Sequence, residues 1–111
     1  MNADIEWHRV GPAEDIEEED VMRFDAGGGT YAVYRTASGY YASDGFCTHE
    51  ATHLADGFVM DEIIECPMHQ GRFHIPSGTA KGAPVVTDLR THPVKVEDGV
   101  LYIGLPSGPA A

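Results

Sequence analysis

Two short boxes, Cys47-Thr48-His49 and Cys66-Pro67-Met68-His69, constrain this chain more than anything else in it. They use both cysteines of the sequence and two of its six histidines. Sixteen residues, Glu50 to Glu65, separate the C-x-H box from the C-x-x-H box. Each box puts one thiol and one imidazole on a short turn, so the two can close over one metal centre from opposite sides. A single zinc ion takes two Cys and two His as a tetrahedron. Zinc modules usually group their ligands by type, however, and here each half mixes them. A two-iron, two-sulfur cluster in which two His replace two Cys on one iron is the other candidate. One iron then takes both thiolates and the other both imidazoles, so each box supplies one ligand to each iron, which suits the mixed order. A disulfide Cys47–Cys66 with incidental histidines would leave the spacing of both His unexplained.

The chain has 111 residues, enough for one domain, 1–111, around one core. A second, catalytic domain with its own mononuclear iron and substrate pocket is not expected. His8, His53, His74 and His92 are given no ligand role. If the boxes hold a cluster, the chain carries electrons and is not itself an enzyme. No run of about twenty apolar residues offers a membrane span. The start, MNADIEWHRV, has neither the basic residues nor the apolar run of a secretory signal. Two cysteines that both serve as ligands suit a reducing compartment, so the cytoplasm is expected. Net charge is −11, and eight of the eighteen acidic residues fall in the first twenty. Such a surface repels nucleic acid and anionic lipid. It suits steering toward basic patches on redox partners, although solubility alone would also account for it.

Along the chain, short β-branched and aromatic runs alternate with turn residues. Strands are expected at Glu6–Val10, ended by Gly11-Pro12, and at Val21–Asp25, Thr30–Thr36 and Gly39–Ser43. Ala13–Asp20 is an acidic connector with at most one helical turn. Ala26-Gly27-Gly28-Gly29 is a hairpin turn and not a phosphate loop, because no helix pattern or Lys-Ser/Thr pair follows it. Phe58–Met60 and Ile63–Glu65 make a tight hairpin that returns Cys66 beside Cys47. Arg72–Ile75 is a short strand. Pro93–Glu97 and Val100–Gly104 pair through Asp98-Gly99, a strong hairpin signal. The absence of any long helical period makes the domain all-β, built of packed antiparallel sheets.

The boxes, followed by Gly71-Arg72-Phe73-His74 and Gly82-Ala83-Pro84, resemble Rieske-type 2Fe-2S ferredoxins, those of bacterial aromatic-ring-hydroxylating dioxygenase systems. The resemblance runs from about Ile5 to Leu105. It implies a Rieske-like antiparallel β-sandwich base with a small cluster-binding subdomain over approximately 44–84. It implies one 2Fe-2S cluster on Cys47, His49, Cys66 and His69. The partners it implies are a flavin-dependent NAD(P)H ferredoxin reductase and a terminal oxygenase. Glu50, Ala51, Gln70, Gly71 and Pro84 would form the docking rim, with Pro84 matching a proline loop that covers the cluster. A small Rieske subunit of a nitrite-reductase-type enzyme is the alternative. Two thiolates neutralise an oxidised two-iron core where four would leave a dianion, so His ligation raises the potential. The high-potential Rieske proteins of respiratory chains carry a Ser and a Tyr after the second box and a disulfide between the loops. Gly71 and Phe73 stand at the first two positions here, and Thr52 and Met68 at the other two. Gly71 and Phe73 have no side-chain donor for sulfur, and Thr52 and Met68 cannot form the bracing disulfide, which places the expected potential near the low end of the Rieske range.

Overall fold

The strand β1 (Ile5–Pro12) is the first element, and the regular structure among the described residues is almost wholly antiparallel β. It is followed by β2 (Asp20–Ala26), β3 (Gly29–Thr36), β4 (Gly39–Asp44), β5 (Phe58–Met60), β6 (Ile63–Glu65) and β7 (Arg72–His74). The last three are β8 (Thr91–His92), β9 (Val94–Glu97) and β10 (Val100–Pro106). The structure, a computed structural model, describes residues 5–48, 51–68, 70–82 and 87–106. Among these, helical structure is limited to single 3-10 turns at Ala13–Asp15 and Leu54–Asp56. The strands form three sheets, in the orders β1-β10-β9, β2-β3-β4-β8 and β5-β6-β7.

The run Tyr31-Ala32-Val33-Tyr34 explains how the layers stack. A strand with one wet face alternates apolar and polar residues, as β2 does with half-buried Met22 and Phe24 against exposed Arg23 and Asp25. In β3 both faces are covered. Val33 enters a core with Ala13, Ile16, Ala42, Leu101, Ile103 and Leu105, between the two base sheets. Ala32 and Tyr34 enter a second core on the other face, with Leu54, Ile64, Phe73, Ile75 and Leu89. Both cysteines belong to this second core. Tyr34 is fully buried, and its hydroxyl lies 2.7 Å from Ser43 Oγ, which in turn donates to the Asp44 carbonyl. Burial pushes the Tyr34 pKa up, so it stays a neutral donor.

The all-β expectation holds, and the turns follow their residues. Asp98 and Gly99 both have positive φ, 52° and 77°, as the tightest hairpin turn requires. Two details differ from the sequence reading. Gly11-Pro12 does not end β1, which pairs on to Val100 through a register shift between Arg9 and Gly11. Because β1 is an edge strand, the missing N–H of Pro12 interrupts no ladder. The two-residue β8 has no counterpart in the strand pattern of the sequence. It is held by His92 Nε2 at 2.8 Å from Asp44 Oδ1 and by Asp44 N–H donating to the Arg90 carbonyl at 2.9 Å.

Gly57 shows how tightly the sheet β5-β6-β7 is fitted to its approach. A Cβ added there would lie 2.2 Å from the Glu65 carbonyl oxygen, a backbone atom next to Cys66. Gly57→Ala should therefore destabilise the fold by about 1–3 kcal/mol, the usual range for overpacking, in chemical unfolding. An unchanged unfolding midpoint would refute the close approach.

Candidate metal centre

The two boxes sit on two hairpin tips that close in the same way. In the first, Phe46 bridges His53 in antiparallel fashion, and Cys47 N–H donates to the Thr52 carbonyl at 3.0 Å. In the second, Glu65 pairs with Arg72 at the ends of β6 and β7, and Cys66 N–H donates to the Gly71 carbonyl at 2.7 Å. Each cysteine amide thus reaches the carbonyl five residues on. The two cysteines therefore share one pattern of loop closure. In the second tip Gln70 takes a left-handed φ of 58°. Cys47 is 6% exposed and Cys66 0%. No disulfide joins them in this structure.

His49 and His69 lie outside the described residues, as do Glu50 and Pro84. Among the described residues no third His, Cys, Asp or Glu gathers with the cysteines into a metal-binding group. Of the expected rim, Ala51 and Gln70 are exposed. Gly71 is buried, and its carbonyl accepts the Cys66 amide. His74 and His92 are engaged elsewhere, with Ser77 Oγ and Asp44 Oδ1, each at 2.8 Å.

Several residues near the boxes carry no signal in the sequence. Phe46 and Met68, beside the two cysteines, are each 46% exposed although large and apolar. Thr48 donates through its hydroxyl to the Thr87 carbonyl at 2.7 Å, tying the first tip to the chain that follows 83–86. Arg72 Nε lies 2.9 Å from Glu65 Oε1, beside Cys66, but the arginine is exposed and the pair contributes little. His53 is buried, with its ring edge-on to Phe46 at 5.5 Å. Two thiols sealed in an apolar core fit a soft metal group. Their thiolates would be costly there without a cation, and that cation is what such a group supplies.

The Rieske [2Fe-2S] domain matches residues 6–93. The chain belongs to this family. It is 40% identical over 92 residues to the ferredoxin component of the naphthalene 1,2-dioxygenase/salicylate 5-hydroxylase systems of Ralstonia sp., covering 83% of this chain and 88% of that one. It is 42% identical over 99 residues to the naphthalene 1,2-dioxygenase ferredoxin component of Pseudomonas aeruginosa, covering 89% and 95%. A chain of the complex of reduced oxygenase and oxidised ferredoxin in carbazole 1,9a-dioxygenase superposes with a TM-score of 0.84 at 32% identity, covering 87% and 91%. A putative NADH-dependent nitrite reductase small subunit from Mycobacterium tuberculosis gives a TM-score of 0.83 at 14% identity, covering 95% and 99%, which shows the shared fold alone.

The first Rieske loop has a built-in sensitivity to acid. Burial holds the His53 pKa below its ordinary value, Arg23 adds to this, and Asp56 and Asp25 pull back. On unfolding, the imidazole returns to about 6.5 and takes up a proton before the folded form does. The stability from His53 is therefore complete above about pH 6.5 and is lost as the pH falls through the lower folded value. Thermal unfolding of wild type should weaken more between about pH 7 and about pH 5 than that of His53→Gln. Equal pH dependence in the two proteins would contradict this.

Proposed function

We propose that this chain is a one-electron carrier that takes electrons from a flavin-containing NAD(P)H ferredoxin reductase and delivers them to a terminal aromatic-ring-hydroxylating oxygenase. The observation that supports it best is the pair of buried, matched cysteine loops in a chain about 40% identical to ferredoxin components of such systems. Cys47 and Cys66 would bind one iron, and His49 and His69 the other. A 2Fe-2S cluster held this way supplies a site that gains and loses one electron. The chain's own residues do the rest. The second core keeps water from the cysteines, the two amide closures fix their positions, and 44–84 acts as the cluster-binding unit.

Electron carriers meet their partners through small, short-lived contacts. The docking surface would consist of the hairpin tips, with Glu50, Ala51, Gln70 and Pro84 at its rim and Phe46 and Met68 as its apolar part. A net charge of −11 would steer it to basic partner faces. The cytoplasm is the matching compartment, because both thiols must stay reduced to bind metal. Among the described residues no helix is long and apolar enough to cross a membrane. The nitrite-reductase alternative has only the shared fold behind it, and no feature of the site favours it.

Anaerobically purified protein should be red-brown, hold two irons and two sulfides per chain, and give a reduced-state electron paramagnetic resonance spectrum with the low average g of mixed nitrogen and sulfur ligation. Colourless protein with stoichiometric zinc would overturn the reading. Gly71 has no side-chain donor and the Phe73 ring is fully buried, so a redox titration should give a midpoint of about −150 mV. A midpoint above roughly +100 mV would mean that sulfur receives hydrogen bonds from elsewhere.

A further inference from the structure

Thr30 of the base sheet holds both stems of the first hairpin tip. Ala55 N–H donates to His53 Nδ1 at 3.0 Å. That nitrogen therefore carries no proton, and the ring's proton sits on Nε2. Nε2–H points to Thr30 Oγ1 at 2.9 Å. The Thr30 hydroxyl in turn donates to Asp25 Oδ1 at 2.5 Å, and Asp25 also accepts from Arg23 Nε at 3.1 Å. Through its carbonyl the same Thr30 accepts Gly45 N–H at 3.0 Å.

Gly45 and His53 are the two stems of the first tip. Gly45 precedes Cys47 by two residues, and His53 follows Thr52, whose carbonyl closes the loop. The stems also hold each other, since Leu54 N–H donates to the Gly45 carbonyl at 2.8 Å. The fit is close: a Cβ on Gly45 would lie 2.5 Å from His53 Nε2. The second tip is built differently. Its stems, Glu65 and Arg72, are the ends of paired strands and are held within their own sheet. The first tip extends past β4 on one isolated bridge, so Thr30, with the Thr48 hydroxyl on the Thr87 carbonyl, is among its described ties to the rest of the fold.

We propose that His53, acting through Thr30, is a positioning residue for the first ligand loop: in its Nε2–H form it fixes Cys47 against the base sheet and so controls how firmly the metal group is retained. The proposal rests on Cys47 being a ligand. Thr30→Val keeps the shape and the carbonyl but removes the hydroxyl, while Thr30→Ser restores it. The holoprotein is challenged anaerobically with an iron chelator, and loss of visible absorbance is timed. Thr30→Val should lose colour about tenfold faster than wild type, with a shifted reduced-state resonance spectrum, and Thr30→Ser should fall within about twofold of wild type with the spectrum restored. The double variant His53→Ala/Thr30→Val should be no faster than the faster single, as expected for two groups in one chain of hydrogen bonds.

A role confined to general folding would slow or speed loss without moving the spectrum, and would not be rescued by serine. Thr30→Val holding its colour as long as wild type, or Thr30→Ser bleaching as fast as Thr30→Val, overturns the positioning role while leaving the metal centre intact. Wild type that holds no iron would end both readings together. Should His53→Ala fail to fold, the two Thr30 variants decide the question without it.

Discussion

The N–H of Cys47 on the Thr52 carbonyl and the N–H of Cys66 on the Gly71 carbonyl are the two bonds on which the rest of the structure depends. A buried amide must find an acceptor or cost free energy. Here each cysteine amide finds one across its own loop. The closure accompanies buried cysteines in both loops, while Ala51, Met68 and Gln70 nearby are exposed. Nothing about the overall fold demands two equal closures. A shared task for the two loops does. Neutral thiols are at home in an apolar core, but as thiolates they would need a cationic group beside them, which is what a metal supplies.

That demand propagates into the sheets. For the cysteines to be buried, something must cover them from below, and β3 does so by being apolar on both faces. Val33 serves the base and Tyr34 serves the cysteine side. The tyrosine is the largest side chain that this second core encloses completely, and it brings a hydroxyl with it. The hydroxyl is tolerated because Ser43 and the Asp44 carbonyl continue the chain of hydrogen bonds. Among the described residues no buried side-chain polar atom is left without a partner. A stiff, fully satisfied core suits a carrier of single electrons, since little around the site needs to rearrange when charge arrives.

How far could the sequence alone go? The hairpins were legible because their turns have local chemistry: Asp98-Gly99 and Gly27-Gly28 can hold positive φ at both turn positions. The candidate ligands were legible because thiols and imidazoles at fixed spacing have few other uses. What stayed hidden is what depends on distant partners. Glu19 reads as one more solvated acid, yet its carboxylate accepts Asp61 N–H at 3.1 Å, and Glu62 accepts the Ser38 hydroxyl at 3.1 Å. Both bonds tie the base to the β5–β6 hairpin. Gly71 reads as tip surface, yet it is buried, because whether a glycine points out or in is decided by its carbonyl's partner and not by its residue type. Two-residue strands such as β8 have no period to detect.

The backbone itself discriminates poorly between functions. At 14% identity a nitrite reductase small subunit superposes as well as a carbazole dioxygenase ferredoxin complex chain does at 32%, with TM-scores of 0.83 and 0.84. Strand geometry therefore cannot be where partner choice resides. It must lie in groups that the sheet only presents: the charge of −11, which acts at long range, and the few side chains at the tips, which act on contact. The long-range part is unselective, because any basic face answers to it. If docking uses the tips, as proposed, selection falls to them, where Phe46 and Met68 flank the cysteines and would lose exposed apolar area only against a surface shaped to receive them.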